Sequence, residues 1–137
     1  MLAAWDASDR IYGAPRVHAE LRLGAGVGHA ETEFAAAMGA RHAAGVNTGT
    51  DAIALALMAL GIGRGDEVIT SPLSAAYSAL AIDMAGATPV FADIERDTFC
   101  LDPAAVEAAI TERTVGIMPV HLYGHPANMT ALAEVAA

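Results

Sequence analysis

The sequence predicts an α/β fold in which a parallel sheet lies between two layers of flanking helices (α/β/α). Three observations carry this. Short runs rich in apolar residues, such as Glu67-Val68-Ile69-Thr70 and Val115-Gly116-Ile117-Met118-Pro119-Val120-His121, recur along the chain. A stretch of helix-forming residues separates each run from the next. Glycines at 39, 61 and 86 follow those stretches, where a helix C-terminus favours them. Strands joined through helices pair in parallel, because a parallel crossover needs a dozen residues or more.

Taken in order, residues 1–23 are an N-terminal arm of mixed polarity, expected to be poorly ordered or foreign to the rest of the chain. Tyr12-Gly13-Ala14-Pro15 reads as a turn within it. The run Ile11 to Arg22 resembles a segment of IS3-type insertion-sequence transposases that precedes their catalytic core. It carries no catalytic carboxylate, so the likeness implies a fusion scar or a mis-set start, not an activity. The α/β unit proper occupies residues 24–137. Glu31 to Met38 is a helix with acidic residues in its first turn, where the helix dipole favours them. His42 to Asn47 is a first strand. A helix runs from Thr50 or Asp51 to Leu60; it is nearly all apolar, so it should be buried on every face. Glu67 to Thr70 is the second strand. Ser74 caps a helix running to Ala85. Thr88 to Asp93 is the third strand. Asp102-Pro103 is an N-cap with proline at the first helical position, and that helix runs to about Ile110. Val115 to His121 is the fourth strand. A last helix starts near Asn128.

Composition narrows the function. The 137 residues are 55% hydrophobic, enough to build a core, and their number fits one domain. No apolar run reaches membrane-spanning length, and the N-terminus lacks a secretory layout. A single cysteine, Cys100, rules out an internal disulfide and suits a reducing compartment, the cytoplasm. Cys100 itself reads as a small core filler. The formal charge of −9 argues against a nucleic-acid surface. All seven basic residues are arginine; there is no lysine.

The chemistry centres on Ala44-Gly45-Val46-Asn47-Thr48-Gly49-Thr50-Asp51-Ala52, read as strand, glycine turn and helix start. Amides in the first turn of a helix lack intrahelical partners and face the positive end of the dipole. Gly49 leaves the backbone open to close approach, and Thr50 adds a hydroxyl. Together they form a phosphate cradle. An ordinary capped turn has the same spacing, and both readings stand on these residues alone. Ligands of parallel sheets sit at the carboxyl ends of the strands. That edge gathers Asn47 to Asp51, Ser71 to Tyr77, Asp93 to Arg96 and His121 to His125. His121 and His125 are four apart, but Gly124 and Pro126 make this a loop and no further ligand is near, so no metal site is expected. Asp93, Glu95, Arg96 and Asp97 read as a solvated loop.

Four motifs in succession then carry a family resemblance: Asn47-Thr48-Gly49-Thr50-Asp51-Ala52-Ile53, Gly61-Ile62-Gly63-Arg64-Gly65-Asp66-Glu67-Val68-Ile69, Ala85-Gly86-Ala87-Thr88-Pro89-Val90-Phe91-Ala92-Asp93-Ile94, and Val120-His121-Leu122-Tyr123-Gly124. From about Leu23 onward the chain resembles the DegT/DnrJ/EryC1/StrS sugar aminotransferases, pyridoxal 5'-phosphate (PLP) enzymes of fold type I. The resemblance implies the N-terminal part of such an enzyme's large domain, with Gly49, Thr50 and Asp51 on the cofactor phosphate. It implies a nucleotide-linked keto-sugar and an amino-acid donor, usually glutamate, as substrates. It implies a homodimer for the complete enzyme, and no nucleic-acid or membrane partner. Family members stack an aromatic ring on the cofactor after the second strand; the matching position here is Ala75. Tyr77 either takes that role or packs against a neighbouring helix.

Two absences bear on activity. Such an enzyme needs a Schiff-base lysine and a carboxylate beside the pyridine nitrogen. In the family both lie downstream of the last motif present here, so no catalytic residue is assigned and these residues alone should be inactive. The family also places later strands between the first strand and the others. Without them the first strand pairs differently or stays unpaired, and bare apolar faces favour association. Two other readings remain, a Rossmann-like cofactor-binding module and a non-enzymatic interaction fragment. The first lacks a Gly-x-Gly-x-x-Gly after a strand.

Overall fold

The structure is a computed structural model and describes residues 27–137. The expected arm at 1–23, its turn and its transposase-like run lie outside the described residues. In chain order the elements are α1 (Val27–Ala37), α2 (Gly49–Ala59), β1 (Glu67–Thr70), α3 (Tyr77–Met84), β2 (Thr88–Phe91), α4 (Pro103–Ala109), β3 (Thr114–Met118), a single 3-10 turn (Leu122–Gly124) and α5 (Met129–Val135).

The three strands form one parallel sheet in the order β2-β1-β3. Ile69 stands level with Val90 on one side and Ile117 on the other. β1 is central, and all four of its residues are buried. Successive side chains of a strand point to opposite faces, and β1 shows what that achieves. Val68 packs with Leu57 of α2 and Ile82 of α3. Ile69 packs with Val106 of α4 and Leu132 of α5. Two adjacent residues thus anchor two separate cores, which gives the expected three layers.

Local chemistry sets the helix starts. Asp102 Oδ1 accepts from Ala104 N at 2.9 Å, and Pro103 opens α4 without wasting an amide. Asn128 Oδ1 accepts from Ala131 N at 3.2 Å ahead of α5. Gly61 and Gly86 adopt left-handed φ values of 78° and 86° just past α2 and α3, as helix stops do.

Glu67 closes the amino end of the sheet. It is buried, accepts from Thr111 Oγ1 at 2.5 Å, and pairs with the guanidinium of Arg113. Its backbone N–H donates to Arg113 O at 2.8 Å. The Thr111 hydroxyl, aided by Arg113, holds the Glu67 carboxyl below its ordinary value; burial opposes the shift without reversing it.

Four expectations need correction. Among the described residues the sheet has three strands, because residues 42–47 form none. In that stretch Gly45 N donates to Glu31 Oε1 at 2.6 Å instead of to a ladder. Among the described residues no neighbouring strand is there for it to pair with. Second, α2 is not buried all round: Ala54 and Leu57 are buried, but Leu55 is 51% and Met58 46% exposed. A sheet covers one side of a helix, and no described element covers the opposite side of α2. Third, α3 starts at Tyr77, after Ala76 and without a side-chain cap, so Ser74 does not cap it. Upstream, Ser71 Oγ accepts from Leu73 N at 3.2 Å and holds a local turn. Fourth, α1 begins at Val27, so Glu31 and Glu33 lie inside it and not in its first turn.

Candidate functional site

Thr48 organises the start of α2. Its backbone is extended (φ −139°, ψ 162°), and its Oγ1 accepts from Asp51 N at 3.0 Å. The same hydroxyl donates to Asp51 Oδ2 at 2.9 Å. This reciprocal clasp commits both the amide and the carboxylate of Asp51 to the turn. Gly49 and Thr50 are the first two helical residues, whose amides have no carbonyl one turn back to bond. Gly49 is exposed, and a Cβ placed on it would meet nothing within 4 Å. The backbone at Gly49 is therefore open to close approach at the start of α2.

Beside the turn is a cavity of about 350 Å³. Asn47 and Asp51 give it a polar rim; Ala54, Leu55, Met58 and Met84 form an apolar wall. Ile53, in the second turn of α2, belongs to the same packed cluster as Met118, the last residue of β3. The first half of α2 thus packs with the carboxyl end of the sheet.

The other candidate segments lie just past the carboxyl ends of β1, β2 and β3, and parallel strands put those ends on one edge. Tyr77 opens α3 and is 62% exposed, so it is not a core residue. Among the described residues no hydrogen bond or ring contact joins it to Gly49, Thr50 or Asp51. Asp93 Oδ1 accepts from its own neighbour, Ile94 N, at 2.8 Å. His121 Nδ1 accepts from Ala127 N at 3.0 Å, which fastens the loop after β3. No group of three metal-ligating side chains occurs among the described residues. Cys100 is buried, and its thiol donates to His125 O at 3.4 Å.

Sequence reasoning missed one pair. Phe99 and Tyr123 are the only non-glycine residues with left-handed backbones among those described, at φ 59° and 54°. Each such conformation costs roughly 1–2 kcal/mol. Their rings meet edge to face, with centroids 6.4 Å apart and planes at 86°. Tyr123 is 86% exposed. The one signal available in the sequence was Gly124, which hints at an irregular backbone beside Tyr123.

These features define a class, a three-layer α/β unit with an open, amide-lined helix start packed toward the carboxyl end of its sheet. Residues 17–137 match the model of the DegT/DnrJ/EryC1/StrS aminotransferase family, and the chain belongs to that family. The match begins inside the run 11–22, and the transposase likeness of that run is unsupported. One relative is the dTDP-3-amino-3,4,6-trideoxy-alpha-D-glucose transaminase of Micromonospora megalomicea subsp. nigra. It is 46% identical over 131 residues, which cover 96% of this chain and 34% of that protein. The GDP-perosamine synthase of Caulobacter vibrioides is 51% identical over 77% of this chain and 29% of its own length. Among solved structures, DesV of Streptomyces venezuelae in complex with a ketimine intermediate superposes with a TM-score of 0.72. It is 55% identical and covers 77% of this chain and 29% of its own. NtdA of Bacillus subtilis with bound cofactor PMP gives a TM-score of 0.63 at 44% identity, over 64% of this chain and 20% of its own. The chain thus spans about a third or less of these relatives. No helix among the described residues is long and apolar enough to cross a membrane.

The cofactor of the family fits this chain in part. The open turn at Gly49 and Thr50 suits a phosphate. The 137 residues offer no lysine for covalent attachment.

Proposed function

We propose that this chain is the amino-terminal portion of a PLP-dependent nucleotide-sugar aminotransferase. The full reaction would move an amino group from an amino acid, glutamate by family habit, to a nucleotide-linked keto-sugar. The observation that carries this reading is the open backbone at Gly49, where α2 starts within the family's first motif.

Each residue has a defined task. The Gly49 and Thr50 amides and the Thr50 hydroxyl bind the phosphate as donors. Thr48 and Asp51 hold the turn in shape, so the donors are set before any ligand arrives. The helix dipole adds attraction for a dianion. Tyr77 is the candidate for contact with the cofactor ring. PLP, when bound, supplies an electron sink for chemistry at the amino carbon. The covalent anchor and the partner of the pyridine nitrogen belong to a longer chain, which acts as a homodimer. By themselves these 137 residues bind but do not transfer.

The test is a titration of the ¹⁵N-labelled chain with PLP, then competition with inorganic phosphate. Expected are saturable shifts at the Gly49 and Thr50 amides that phosphate reverses, and no amino transfer from glutamate. Shifts confined to other residues would overturn the assignment.

A further inference from the structure

We propose that Tyr123, buttressed by Phe99, is a stacking platform for the base of a nucleoside diphosphate. The ligand class rests on the nucleotide-sugar aminotransferase reading; the platform itself rests on independent geometry. The two rings come from the loops after β2 and β3, on the carboxyl edge of the sheet. Those loops are tied together. Ile94 bridges to Leu101 within the first loop. The Cys100 thiol reaches across to His125 O at 3.4 Å. Cys100, Leu101 and Ala127 share one buried cluster. The aromatic pair is therefore mounted on a rigid base.

Neither ring is spent on the core. Tyr123 is exposed, and Phe99 is partly so. Both backbones adopt left-handed conformations that disfavour any side chain, and glycine would relieve the strain. Two strained aromatics brought into edge-to-face contact and turned to solvent suit binding better than folding. An exposed tyrosine face accepts any flat ring. The named relatives act on dTDP- and GDP-sugars, one a pyrimidine and one a purine. Stacking tolerates both, because each base has a π-face whatever its hydrogen-bonding edge.

The experiment titrates the chain with dTDP and with GDP, and repeats this for Tyr123→Phe and Tyr123→Gly, tracking affinity and Tm together. Tyr123→Phe should keep both affinities within about twofold, since the ring remains. Tyr123→Gly should raise both Kd values about tenfold. Its Tm should change little, because relief of the left-handed backbone offsets the lost Phe99 contact and the added freedom of glycine in the unfolded chain. A residue serving only the fold would lower Tm on replacement. Unchanged affinity in Tyr123→Gly, no saturable binding of either nucleotide, or a joint fall in affinity and Tm would each overturn the platform. The PLP-dependent shifts at Gly49 and Thr50, recorded on the same samples, separate failure of the platform from failure of the aminotransferase reading.

Discussion

The strand β1 and the stretch from His42 through α2 both read as sheet-and-helix segments in sequence, yet they end differently. β1 is wholly buried, paired on both edges and packed on both faces. Residues 42–47 form no strand, and α2 leaves Leu55 and Met58 exposed. The difference lies in neighbours. Everything β1 needs comes from residues 88–91, 114–118 and the helices around them. An apolar run without a partner gains nothing from strand geometry, since its amides and carbonyls would stay unpaired.

The sharpest way to break this contrast is to cut into each side equally. Ile69→Ala removes a side chain with no exposed surface and should cost about 2–5 kcal/mol by urea denaturation. Leu55→Ala, the same kind of truncation on α2, should cost at most about 0.5 kcal/mol. Similar losses at both positions would show that α2 is covered after all.

Acid probes the sheet's amino end. The Glu67 carboxyl sits below its ordinary value of 4.5, so the folded protein holds fewer protons there than the unfolded chain. Its contribution is complete above that value and is lost as pH falls below it toward the folded value. Glu67→Gln should therefore lower stability at neutral pH and flatten the acid side of a stability–pH curve. An unchanged acid limb would mean that Thr111 and Arg113 do not hold this carboxylate in solution.

A smaller effect is expected at the start of α2. Thr48→Ala removes the clasp with Asp51 and should cost about 1 kcal/mol. Because α2 is the weakly held side, the loss should show as faster hydrogen exchange in the first turns of α2, with β1 amides unaffected. The least effect on stability belongs to Met58→Glu, within about 0.5 kcal/mol at an exposed site. Its value lies in solution behaviour: if the bare side of α2 drives association, this variant should shift sedimentation toward monomer.

Much of this architecture was legible in the sequence for local reasons. The bounds of β1, the cap at Asp102, the helix start near Asn128 and the glycine stops each depend on a few adjacent residues. What could not be read depended on residues distant in the chain or on backbone angles. The fate of His42 to Asn47 turned on whether a partner strand was present, which its own letters do not encode. The start of α3 moved to Tyr77 because a turn at Ser71 to Leu73 came first. At the candidate site, the open turn at Gly49 and Thr50 was anticipated from residue type, but the engagement of Asp51 by Thr48 was not. Phe99 and Tyr123 stayed hidden because a left-handed φ at an aromatic residue has almost no sequence signature.

The strand order β2-β1-β3 has a bearing on synthesis. The middle strand leaves the ribosome before either flanking strand exists. Residues 67–70 must wait for Phe91 to emerge, and then for Met118, before both of their edges are satisfied. Until then the backbone edges of this segment lack their ladder partners, an exposure that ends only when residues 88–91 and 114–118 have both been made.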